Sequence, residues 1–176
     1  MGLHPQTIGT SMPNGFAGSY ARQPDMIVNT RPAGGEIPFG APLKYDTNGK
    51  AVLLGASSTA ADFAGVAARE LKSSLDYLDQ SAGKYAAGEA VSVFQRGCIN
   101  VLCQRGTPKL GGKVYVRIAA NEQYSTAAIG GFEAEADTSE SSSKTVELTN
   151  CQWAGAADAN GRTAHFDHEQ SLKEEE

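Results

Sequence analysis

Histidine is almost missing from this chain: it occurs at His4, His165 and His168, and residues 5–164 contain none. The side chain that most often acts as general base near neutral pH is therefore absent from the whole body of the sequence. A Ser–His or Cys–His pair would have to borrow its imidazole from a terminus. His165 and His168 flank Asp167 in an acidic run, a spacing that gives weak, opportunistic metal contacts, so no metal site is expected. Long apolar runs are lacking as well. None approaches the ~20 residues of a spanning helix, and no membrane partner is expected. The first thirty residues lack a basic and apolar leader, and Gln6 stands where myristoylation needs Ser or Thr. Cysteine is scarce and odd in number, at Cys98, Cys103 and Cys151, without paired spacing. Two of them are five residues apart and fall on opposite faces of a strand, so buried thiols in a reducing compartment are expected.

Catalytic and cofactor motifs are also wanting. Residues 106–113, Gly-Thr-Pro-Lys-Leu-Gly-Gly-Lys, have a superficial likeness to a phosphate loop. In register with Gly112-Lys113 the motif needs Gly at Thr107 and Ser or Thr at Val114, so both the loop geometry and the magnesium ligand are missing. No nucleophile elbow or dinucleotide fingerprint occurs. The expectation is no enzyme and no cofactor.

What the sequence does have is patterned charge. The net charge is −5, but residues 165–176 hold five acids and one base. The rest is nearly neutral and segregated. Residues 90–121 carry Arg96, Arg105, Lys109, Lys113 and Arg117 with no acid, and residues 122–147 carry six acids, among them Glu133, Glu135 and Asp137, against Lys144. Opposed blocks of this kind suit self-assembly or docking on a patterned protein surface, or else are two solvated faces. Phe94 and Tyr115 interleave with the basic block, but only Tyr115 shares a strand face with two of the bases, so no nucleic-acid partner is expected.

Three regions follow from texture. Residues 1–36 hold four of the seven prolines and read as an extended arm, ordered on a neighbour or wrapped on its own domain. Leu3, Ile8, Phe16, Tyr20, Met26, Ile27 and Val28 are its apolar contacts. Residues 37–163 show short alternating runs between glycines, the spacing of an all-β barrel or sandwich. Leu43-Lys-Tyr45 and Ala51–Leu54 flank Asp46-Thr-Asn-Gly49, a hairpin signal. Val114, Val116 and Ile118 face one side, and Lys113, Tyr115 and Arg117 the other. Residues 164–176 read as a polar acidic tail. Residues 60–80 conflict with the β pattern, because Phe63, Val66, Leu71, Leu75 and Leu78 stand near helical spacing, with Gly65 as the internal weakness.

An ordered series of short motifs carries a resemblance. It runs Ile37-Pro-Phe39-Gly40-Ala-Pro-Leu43, Asn48-Gly49-Lys50-Ala-Val52, Phe63-Ala-Gly65-Val66-Ala67, Tyr85-Ala-Ala-Gly88-Glu-Ala-Val91-Ser-Val93, Gly97-Cys-Ile99-Asn-Val101 and Gly112-Lys-Val114-Tyr-Val116. Over residues 33–133, and less distinctly to Trp153, the chain resembles the structural cement, or capsid decoration, proteins of tailed bacteriophages. The resemblance implies a compact all-β barrel or jelly-roll-like sandwich with an extended N-terminal arm and a polar C-terminal tail. It also implies residues 63–67 as strand, which with the local pattern gives a strand up to about Lys72 and then a loop or helical turn. By the same likeness the protein binds the outer surface of the major capsid lattice as a homodimer or homotrimer. It would be made in the bacterial host cytoplasm, would reside on the virion, and would have no catalytic residues to carry over. The candidate capsid and self-contacts are then the seven apolar arm residues with Arg96, Arg105, Lys113, Arg117, Glu133, Glu135 and Asp137. The other reading, a carbohydrate- or receptor-binding module such as an adhesin, would need exposed aromatic clusters from thirteen aromatics and the single Trp153.

Overall fold

The computed structural model describes residues 15–21, 25–70, 83–138 and 143–157, and residues 163–168 as backbone. In chain order the strands are β1 (Ile27–Pro32), β2 (Ile37–Pro38), β3 (Pro42–Tyr45), β4 (Ala51–Leu53), β5 (Gly65–Ala67), β6 (Lys84–Tyr85) and β7 (Ala90–Arg105). They continue as β8 (Gly112–Arg117), β9 (Phe132–Glu133), β10 (Thr145–Trp153) and β11 (Thr163–His168). The all-β class expected from the sequence is the class observed.

The sixteen-residue β7 is the spine. Its first half pairs with β1 and β5, and its second half with β11 and, in parallel, with β9. Val91-Ser-Val93 and Ile99-Asn-Val101, on either side of Gly97, lie in one strand, whose partners change at that glycine. The facing also slips. Val91 and Val93 enter one core cluster with Ile37, Leu43, Ala51 and Tyr85, whereas Phe94, Ile99 and Val101 enter another with Val114, Phe132 and Trp153. The slip coincides with a bulge, where Ile27 faces Arg96 but Val28 faces Phe94. An extra residue in one strand turns every later side chain to the other face. Each fully buried Phe, Ile, Leu or Val in these clusters contributes ~1.5–3 kcal/mol of transfer free energy.

The hairpin forms as expected, β3 pairing antiparallel with β4. Asp46 organises it, its Oδ1 accepting from Asn48 N and Lys50 N at 2.8 Å each. These backbone donors, in the order Lys50 and then Asn48 with burial opposing between them, hold the Asp46 carboxyl below its usual range. Within residues 60–70 the helical spacing is overridden. A 3-10 turn at Ala60–Asp62 is closed by Thr59 N donating to the Asp62 carboxylate at 2.7 Å, and the chain then enters β5. Gly65 has φ +148°, and a Cβ there would run into the carbonyl oxygen of Phe94. The residue that weakens a helix is what lets β5 lie against β7. Leu71, Leu75 and Leu78 lie outside the described residues.

The main sheet runs β11–β10–β8–β9–β7–β5–β3–β4, with β1 on β7, and β2 with β6 forms a separate pair. β11 pairs on one edge with β10 and on the other with β7. Residues 164–168 therefore belong to the fold and not to a tail. In β10 the alternation breaks between Leu148 and Gln152, where the register with β8 shifts, and so Cys151 and Trp153 join Leu148 inside. All three cysteines are buried.

Candidate functional site

The two charge blocks meet inside the molecule. β8 leaves Arg117 on the face opposite Val114 and Val116, as the alternation predicts, but residues 119–137 cover that face. Arg117 Nε donates to Glu133 Oε1 at 2.6 Å, Nη2 to Glu133 Oε2 at 3.1 Å, and Nη1 to Asp137 Oδ2 at 2.8 Å. From β7, Arg105 Nε donates to Glu133 Oε2 at 2.6 Å and Gln104 Nε2 to Glu133 Oε1 at 3.0 Å. Asn121 Nδ2 donates to Asp137 Oδ2 at 2.9 Å, and the Tyr124 ring lies 4.7 Å from the Arg105 guanidinium and 5.8 Å from that of Arg117. Burial opposes the charge on Arg117, but hydrogen bonds from its guanidinium to Glu133 and Asp137 outweigh it and hold the group further into its charged range.

This corrects the surface expectation for four of the charged candidates. The side chains of Arg117, Glu133 and Asp137 have no solvent exposure and that of Arg105 has 14%. Segregation along the sequence brings opposite charges together across β7, β8 and β9. The exposed candidates also have partners in the chain: Arg96 with Asp25 at 3.0 Å, Lys113 with Glu147 at 3.0 Å, and Glu135 with Arg105 at 3.7 Å.

The apolar candidates divide differently. Leu3 and Ile8 lie outside the described residues. Tyr20 forms a bridge to Ile99, packs its ring tilted against that of Phe94 with centroids 5.7 Å apart, and donates its hydroxyl to Glu70 at 2.8 Å. Burial, and then that bond to Glu70, raise the Tyr20 phenol far above its usual range. Met26 and Val28 pack on the core, and β1 is a hydrogen-bonded strand. Residues 15–21 and 25–32 are thus wrapped on their own sheet. Ile27 and Phe16 remain exposed, Phe16 at 68%. The guanidinium of Arg69 lies 4.7 Å from the Phe16 ring centroid and 5.8 Å from that of Phe39. Sequence reasoning missed Arg69. It stands in no motif, and only tertiary structure places it beside Phe16, fifty-three positions earlier.

Among the described residues no group of three or more His, Cys, Asp or Glu could hold a metal ion. A cleft of about 480 Å³ is lined by Thr107, Lys109, Gly112, Ala134, Glu135 and Trp153, so the glycine-rich 106–113 segment forms a wall there. It has one cation and one carboxylate, with no nucleophile–base pair.

A family model described as Structural cement protein (E217 gp24/Pam3 gp6) matches residues 4–164. Among solved structures, a chain from the capsid of Myoviridae phage XM1 is similar, with a TM-score of 0.66 at 17% identity. That match covers 94% of this chain and 96% of the other. No curated protein matches the chain.

Proposed function

The chain belongs to the structural cement protein family, and we propose on that premise how its surface is used. It is a capsid-stabilising structural protein of a phage, and the family implies a non-catalytic role on the virion in association with capsid proteins. The finer reading is that it binds the outer face of the major capsid lattice as a homodimer or homotrimer, after synthesis in the host cytoplasm. The mechanism is added interface. A specific contact buries ~1,600 Å² in total, and a lattice repeats it many times, so modest affinity per site resists internal pressure.

The observation that carries this reading is the family match over residues 4–164, which takes in β1 to β10 and the start of β11 and not one motif. The core built on β7 supports it as a rigid scaffold, and the N-terminal residues laid on that scaffold support it as the contact surface. The adhesin reading is not favoured: Trp153, the aromatic it most needed outside, has no solvent exposure.

The test is co-sedimentation of the full chain with capsids of its own phage lacking this protein, followed by thermal disruption of the capsids. Saturable binding and a raised disruption temperature are expected. A chain that stays in the supernatant and leaves disruption unchanged overturns the reading. Light scattering after size exclusion gives the subunit count, and a strict monomer overturns the oligomer.

A further inference from the structure

The turn at residues 15–20 exposes an aromatic ring on a backbone that is firmly held. Ser19 N and Ser19 Oγ both donate to the Phe16 carbonyl, at 3.0 Å and 2.7 Å. Gly18 N donates to Asn100 O at 2.7 Å, Asn100 N to Ser19 O at 2.9 Å, and Arg69 N to Gly18 O at 2.7 Å. Asn100 itself is 2% exposed, so the turn is fixed to the middle of β7. A large apolar side chain on so rigid a support gains nothing for the fold by facing water.

Beside it stands Arg69, a cation with no counter-ion among the described residues. Among the described residues no carboxylate lies within ion-pair distance of Arg69, whereas Arg96, Arg105 and Arg117 each have one. The neighbouring carboxylate of Glu70 accepts from the Tyr20 hydroxyl instead. Arg69 is positioned by its contacts with Phe16 and Phe39, and Phe39 packs edge-on against Tyr85 at 5.0 Å. A guanidinium held against a ring keeps N–H groups at its edge for a planar, bidentate acceptor. Exposed aromatic and arginine side chains dominate binding hot spots, and a preorganised pair loses less entropy on docking.

We propose that Phe16 and Arg69 form a preassembled docking point for an Asp or Glu side chain set in an apolar patch of a capsid subunit. Phe16 enters the patch and Arg69 takes the carboxylate through two parallel N–H···O bonds. Charge complementarity selects the occupant. Arg69 demands an anion, but a single guanidinium next to Glu70 does not suit a polyphosphate backbone. The inference rests on the capsid-binding reading above and names the chemistry of that contact.

The experiment uses the full chain and cement-free capsids of its own phage, with apparent affinity read by co-sedimentation. Phe16→Ala, Arg69→Ala and Arg69→Lys should each weaken binding at least tenfold with melting temperatures within 2 °C of the parent. Arg69→Lys keeps the charge and loses the fork. Arg31→Lys, a control guanidinium over Tyr45, should bind as the parent does. Amidation of capsid carboxyls with a carbodiimide and ethanolamine should reduce parent binding to the Arg69→Ala level, and leave Arg69→Ala binding unchanged. If the parent binds and Arg69→Lys binds equally well, the docking point is overturned while the capsid-binding reading stands. A parent that does not bind the capsids at all overturns both. Loss of self-association in the variants with capsid affinity intact makes a second copy the occupant and also overturns the proposal.

Discussion

The Arg117 guanidinium donates to both oxygens of Glu133, at 2.6 Å and 3.1 Å, and neither side chain reaches solvent. The pair ties β8 to β9, and Arg105 brings β7 to the same carboxylate at 2.6 Å. Removing one partner of a buried pair strands the other charge, which costs more than the intact pair contributes. Glu133→Ala should therefore destabilise the fold by ~3–5 kcal/mol, a fall in melting temperature of roughly 10 °C for a chain of this size. Arg117→Met with Glu133→Leu should lose less than the two single changes added together. Calorimetry on the four proteins of that cycle and on Glu133→Ala measures this, and a Glu133→Ala chain melting within 2 °C of the parent would refute the first expectation.

The N-terminal residues give a second expectation. Tyr20, Met26 and Val28 pack on the core and β1 is paired to β7, so deletion of residues 2–28 removes part of the fold. That chain should melt well below one lacking only residues 2–14. Had the whole arm belonged to a neighbouring subunit, both deletions would leave the melting temperature of the isolated protein unchanged. Differential scanning fluorimetry of the two truncations decides between the cases.

The sequence made some of this legible. Alternation marked β8, and Asp46-Thr-Asn-Gly49 marked the turn between β3 and β4, because those signals are local. Three features were not legible because each depends on a distant partner. Arg117 alternates as an outward residue, and only the later acids Glu133 and Asp137 bring it inside. The helical spacing after Phe63 is locally valid, but β5 gains hydrogen bonds from β3 and β7 that outweigh it. The residues from His165 have too few apolar side chains to announce a strand, yet β10 and β7 supply pairing edges on both sides. Of the candidate surface, Phe16 could be named from the sequence and Arg69 could not.

Tyr85 predicts alkaline behaviour. Burial, partly opposed by hydrogen bonding with Ser92, pushes its phenol up to about 12, and its hydroxyl donates to Ala68 O at 2.5 Å. The fold thus favours the protonated form. Its stabilising contribution is complete below the ordinary tyrosine value of ~10, and is lost as pH rises from there through 12. Melting temperature should fall across that window, and Tyr85→Phe should flatten the fall. The same change should cost about 1 kcal/mol at pH 7 through the lost hydrogen bond. Phenolate absorbance followed against pH, with Tyr20→Phe separating the other raised tyrosine, checks the assignment. An unchanged slope in Tyr85→Phe would count against it.

Gly65 offers the sharpest test of how the sheet holds together. At φ +148° an L side chain is strained, and here its Cβ would also meet the Phe94 carbonyl, which is backbone and cannot swing aside. Gly65→Ala must therefore push β5 off β7 or distort both strands. The neighbours make that costly, because Val66 is fully buried in one cluster and Ala67 in the other. We expect a loss of at least ~2 kcal/mol, where Gly to Ala at a compatible site would instead stabilise by ~0.4–1 kcal/mol. The sign alone decides the matter. A chemical-denaturation midpoint that rises in Gly65→Ala would mean that β5 does not lie against β7 as described, and a fall with an unchanged denaturant slope would place the cost in the native contact itself.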